Sequence, residues 1–163
     1  MSVAPYRAGT WLGLTALLSV AAVCAALVSQ HMFGMEPCPW CILQRVIFVA
    51  IALACVIGLL WRATPGRVLS SVLVVLLALS GIAAALWQHF VAASSTSCNL
   101  TFADEVIGAL RLDSAWPDVF SPRASCADAA VDLLGMPYEF WSLALFVLIV
   151  VAGFKALRAR PAA

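Results

Sequence analysis

Cys38 and Cys41 stand two residues apart in the segment MEPCPWCILQR, and Arg45 follows the second cysteine by four positions. Two thiols at this spacing support four chemistries: haem attachment, zinc ligation, a structural bridge or reversible oxidation. A c-type haem site needs histidine directly after the second cysteine, and Ile42 occupies that place. A structural four-thiolate zinc site usually brings two closely spaced pairs, whereas Cys98 and Cys126 have 27 residues between them. That longer loop suits a structural bridge, which constrains long loops most. Closing the short Cys38–Cys41 loop removes little chain entropy. A staple therefore explains one pair and leaves the other unexplained. Reversible oxidation accounts for both.

The surroundings of the pair favour the same chemistry. Pro39 suits the first position of a helix, so a helix is expected to begin within the motif. Its N-terminal partial charge then favours the thiolate form of nearby cysteines. Arg45 falls on the face of Cys41, one turn deeper. It either anchors the helix at the lipid headgroups or holds an electronegative group beside Cys41.

The elements that must position these groups are membrane helices. Of 163 residues, 64% are hydrophobic and 10% charged, against about 25% charged in an ordinary soluble domain. A net charge of +1 supplies no basic patch for phosphates, so nucleic acid is excluded as a partner. Crossing a bilayer takes roughly 20 apolar helical residues, and four stretches qualify: 11–30, 42–61, 68–90 and 138–156. The first has the basic Arg7 of a signal peptide, but its apolar run exceeds an ordinary h-region, and it is read as a retained span. The expectation is an all-α, four-helix membrane bundle forming one domain over residues 1–163, with loops at 31–41 and 91–137.

Charge sets the orientation. Arg7, Arg62, Arg67, Lys155, Arg158 and Arg160 fall at the two termini or in the tight turn around Pro65–Gly66, whereas all eight acidic residues fall on the other side. Both termini are therefore expected in the cytoplasm. Cys38, Cys41, Cys98 and Cys126 then face the outside, where disulfides persist.

With PCPWCILQR at the second of four spans and two further cysteines in an outer loop, the chain resembles the DsbB family of disulfide-bond-formation proteins, across essentially its whole length. The resemblance implies a bacterial inner-membrane protein-dithiol:quinone oxidoreductase with periplasmic loops. Such a protein reoxidises a soluble thioredoxin-like thiol oxidase of the DsbA type and passes electrons to a membrane quinone. It further implies that the partner attacks Cys98, that Cys126 completes the loop pair, and that Cys38 exchanges with that pair through a transient Cys38–Cys126 bridge. Cys41 would face the quinone, beside Arg45. The rival reading is a disulfide-stapled membrane scaffold or transporter subunit without turnover.

Other residues carry weaker signals. His89, at the outer end of the third span, is a candidate quinone contact or an interfacial histidine, and His31 is a lesser version of the same. Gln44 and Gln88 are candidate hydrogen-bond donors at this site. Trp40 either flanks the quinone or sits at the membrane rim as tryptophan commonly does. Leu110, Leu112, Trp116 and Phe120 either lie on the bilayer surface or pack within the long loop. The opening of that loop, AASSTSC, is small, polar and expected to be flexible. Cys24 and Cys55 differ in depth by roughly 10 Å, are not expected to pair and receive no role.

Overall fold

The computed structural model describes residues 8–61, 63–94 and 101–159. Cys98 and most of the AASSTSC segment lie outside the described residues. Four long helices form the bundle: α1 (Ala8–Phe33), α2 (Pro39–Leu60), α3 (Thr64–Trp87) and, last in the chain, α7 (Tyr138–Arg158). Each is long and apolar enough to cross a membrane, with the third span running Thr64–Ala92 through a π-helical turn, Gln88–Ala92. The expected all-α bundle is the one observed.

Helix ends follow local chemistry. Gly34 has φ +65°, a conformation glycine adopts without a Cβ penalty, and the Met35 N–H turns back to the Ser29 carbonyl at 3.2 Å. Pro39 opens α2 after the extended Cys38, the start within the motif that Pro39 led one to expect, three residues ahead of the apolar span bounded at 42. A sequence window built on hydropathy alone misses such a capped start.

Between α3 and α7 the long loop is structured, with α4 (Phe102–Ala109), α5 (Leu112–Ala115), α6 (Pro117–Phe120) and a hairpin of β1 (Asp132–Leu133) and β2 (Met136–Pro137). Thr101 and Asp104 cap α4 reciprocally, satisfying N–H groups that the first turn would otherwise leave open. Phe120 and Ile107 bury themselves on Ile42 of α2, with Leu112 half-buried beside them, while Leu110 and Trp116 stay exposed. The four loop residues thus divide: two pack within the protein and two face outward.

Inside a membrane, helices associate through close packing more than through apolar transfer. Phe48 of α2 stacks on Phe146 of α7, ring centroids 4.1 Å apart, and Phe146 lies against Gly81 of α3. A Cβ at position 81 would fall within the Phe146 ring. Gly81→Ala should therefore destabilise the bundle by about 1–3 kcal/mol, read as a lower unfolding temperature in detergent. Gly13→Ala, whose Cβ would meet open space, should leave that temperature unchanged.

Candidate functional site

The first turn of α2 is capped by sulfur. Cys38 is its N-cap, and its Sγ accepts the Cys41 N–H at 3.4 Å. The Trp40 N–H donates to the sulfur of Cys126, and the Ile42 N–H goes to the Cys38 carbonyl at 3.0 Å. Pro39 has no N–H to satisfy. A helix start leaves its first N–H groups without helical partners, and here two of them point at thiols.

Three cysteines meet at this point. The Sγ atoms of Cys38 and Cys41 lie 3.0 Å apart, and Cys38 also hydrogen-bonds to Cys126. The loop is fixed there by the backbone: Arg123 and Ala124 donate their N–H groups to the Pro37 carbonyl at 2.9 and 3.4 Å. Its hydrogen bonds with Cys126 and Cys41, together with burial, push the Cys38 thiol well up. Acceptance of the Cys38 bond, helped by the Trp40 N–H, holds Cys126 below the usual thiol range despite its burial.

Cys41 faces a cavity of about 240 Å³ between α1, α2, the end of α3 and the start of α7. Gln88 donates to its Sγ at 3.3 Å, and Gln44 donates to the Gln88 carbonyl oxygen at 2.7 Å. This chain fixes which way the Gln88 amide points. Phe48 and Leu145 supply apolar walls, and α1 brings the small Ala22, Ala25 and Ala26. A flat ring carrying carbonyl oxygens fits this donor set: a thiol, N–H donors and an apolar slot.

Arg45 also lines the cavity, and it is 5% exposed. The headgroup-anchor reading of this residue fails, because the guanidinium points inward. Its Nη1 donates to Gln30 Oε1 at 2.6 Å and to the Val119 carbonyl at 2.9 Å, and its Nη2 to the Ala26 carbonyl at 3.3 Å. Gln30 in turn donates to the Asp118 carbonyl at 3.1 Å. Three of the five guanidinium N–H groups are thus engaged.

His89 lies at the outer end of the third span and is not itself a lining residue of the cavity. It reaches the cavity through Glu139, a cavity-lining residue, with Nδ1 and Oε1 2.7 Å apart. The π-helical turn places Gln88 and His89 on adjacent faces, one serving Cys41 and the other Glu139. His31 and Cys24 are exposed, whereas Cys55 is buried. Trp40 is buried, with its ring centroid 6.2 Å from that of Trp87. Sequence reasoning passed over Gln30 and treated Glu139 only as a rim charge. The available signal was a polar residue near the end of an apolar span, at the depth of Arg45.

The sulfur contacts make a pH-dependent prediction. In the reduced protein the Cys126 thiolate forms at lower pH than an ordinary thiol, and Cys38 stays protonated through the same range. Cys38→Ala removes the main donor, so the alkylation rate of Cys126 should rise only at higher pH than in wild type. Mass spectrometry of the alkylated peptides checks this. An unchanged Cys126 profile in Cys38→Ala would remove Cys38 as the cause.

The sequence matches the family profile described as "Disulfide bond formation protein DsbB" over residues 8–156. It is 34% identical over 148 residues to "Disulfide bond formation protein B 1" of Pseudomonas savastanoi pv. phaseolicola, covering 89% of this chain and 86% of that protein. It is 36% identical over 145 residues to "Disulfide bond formation protein B" of Aromatoleum aromaticum, at 82% and 86% coverage. The "Disulfide bond formation protein B 1" of Pseudomonas aeruginosa is 35% identical over 138 residues, at 82% and 85%. With four spanning helices and a family match over most of its length, the chain is a multi-pass membrane protein and belongs to the DsbB family of disulfide-bond-formation proteins.

Proposed function

We propose that the protein is a protein-dithiol:quinone oxidoreductase of the bacterial inner membrane. It takes electrons from a reduced periplasmic thiol oxidase of the DsbA type and delivers them to a quinone of the membrane pool. In this reading the four redox cysteines face the periplasm and both termini the cytoplasm, as the positive-inside distribution favours. The observation that carries the reading is sulfur contact on both sides of Cys38, towards Cys126 of the loop and towards Cys41 at the cavity.

The chain's own sulfurs perform balanced exchanges. A partner thiolate attacks Cys98 of a Cys98–Cys126 bridge and releases Cys126 as thiolate. Cys126 attacks Cys38 of a Cys38–Cys41 bridge and releases Cys41 as thiolate at the cavity. There Gln88 donates to its sulfur, and Arg45 supplies the nearest positive charge. The partner's second thiolate then displaces Cys98 and closes the partner's disulfide. Cys98 displaces Cys38 from Cys126, which restores the loop bridge and leaves Cys38 and Cys41 as the dithiol. A quinone, when bound, supplies a sink for two electrons and two protons. Phe48 and Leu145 keep the site apolar, and Arg45 and Gln44 orient polar groups within it. The route needs such a sink, because each 30 mV against a strongly oxidising partner costs about 1.4 kcal/mol for a two-electron couple.

The test is turnover of the purified protein in detergent with a short-chain quinone and a reduced CxxC thiol oxidase, followed by loss of quinone absorbance. Wild type should turn over, and Cys41→Ser and Cys98→Ser should each fall to the uncatalysed rate. Absence of turnover, with both bridges intact throughout, would instead favour a disulfide-stapled scaffold.

A further inference from the structure

Thiol–disulfide exchange moves electrons from sulfur to sulfur without moving protons along the same path. Protons lost by the partner dithiol leave to water on the loop side, at Cys98 and Cys126. A quinone reduced in the buried cavity must gain two protons as well as two electrons. The sulfurs provide no route for those protons, so the cavity needs one of its own.

Glu139 has the properties of such a route. It is 4% exposed, it lines the cavity, and its Oε2 is buried without a hydrogen-bond partner among the described residues. An unpartnered carboxylate oxygen in a membrane bundle is costly, and structure alone gives no return for it. Its other oxygen, Oε1, is bonded to His89 Nδ1 at 2.7 Å. The His89 side chain is 31% exposed and is held between Phe90 and Phe140, ring centroids 4.8 and 4.7 Å away. One end of the pair is therefore partly exposed near the outer end of the third span, and the other meets the cavity.

We infer that Glu139 and His89 are a proton-delivery relay, with Glu139 the catalytic proton donor to a quinone oxygen. This rests on the quinone-reductase reading above and adds a role to it. The relay works through both carboxyl oxygens. His89, protonated from the outer water, gives its Nδ1 proton to Oε1, and the proton carried on Oε2 passes to the cavity. The remaining proton then lies on Oε1, and rotation of the carboxyl about Cγ–Cδ turns it to the cavity side while the neutral imidazole takes the next proton from water. Each cycle thus moves one proton and restores both residues. Two cycles per quinone match the two electrons from the Cys38–Cys41 dithiol.

The experiment uses the full chain in detergent, with a short-chain quinone as probe. Its three glutamates are Glu36, Glu105 and Glu139, and the first two are exposed. Protein labelled with carboxyl-¹³C glutamate therefore reports on one buried carboxyl. Time-resolved infrared difference spectra recorded while the protein reduces quinone should show that carboxyl losing and regaining its proton, and Glu139→Gln should erase the signal. Glu139→Gln keeps the side-chain shape but carries no proton, and should slow quinone reduction by about 10²-fold. His89→Gln should slow it in the same way. If labelled wild type shows no buried-carboxyl change while it reduces quinone, the relay is overturned and the oxidoreductase reading stands. A Glu139→Gln variant that matches wild type in rate would overturn it equally. Wild type that reduces no quinone would overturn both.

Discussion

A guanidinium held inside a membrane helix bundle is the constraint on which the rest of the structure depends. At the centre of a spanning helix a charge costs roughly 2.5–3.5 kcal/mol by insertion scales, so it persists only with acceptors around it. Arg45 finds them on α1, at Gln30 and the Ala26 carbonyl, and on α6, at the Val119 carbonyl. Three separate parts of the chain are thereby tied at one depth. Because Cys41 precedes Arg45 by one turn of the same helix, the tie also sets where that sulfur meets the cavity. The loop helix α6 is held by the charge it helps to satisfy, and the loop carrying Cys126 follows directly from it.

The second organising feature is the start of α2. Its unpaired N–H groups need acceptors, and the chain supplies sulfur from Cys38 locally and from Cys126 across the loop. In the proposed reaction, helix capping and redox chemistry are served by the same atoms. A thiolate accepts such a hydrogen bond better than a thiol does, so the Trp40 N–H favours the thiolate of Cys126, while Cys38 stays protonated. Cys38, bonded on both sides, separates an outer sulfur from an inner one without a gap. Gln44 and Gln88 then complete the inner side with two amides whose orientations fix each other.

Much of this was legible in the sequence, for identifiable reasons. Four spans follow from uninterrupted apolar length, and the CxxC placement at a helix start follows from Pro39. The Cys41–Arg45 alignment follows from helical period. What sequence reading missed depends on contacts between distant segments. Gln30 lies 15 residues from Arg45 and Glu139 lies 50 from His89, and no local periodicity links either pair. The loop helices were missed because each is short, although Thr101 and Asp104 stand at capping-box spacing. The position of Cys126 comes from backbone bonds to Pro37, which composition does not encode. Cys98, the remaining member of the four, lies outside the described residues, and its assignment rests on the resemblance alone.

The central claim is that electrons pass between the two cysteine pairs through Cys38. The most direct measurement is to mix the oxidised protein with reduced partner oxidase, quench with acid at intervals, and map the disulfides by mass spectrometry. The account predicts a peptide linking Cys38 to Cys126 that rises and then decays within a turnover. Only Cys38–Cys41 and Cys98–Cys126 linkages at every interval, while partner is being oxidised, would contradict it.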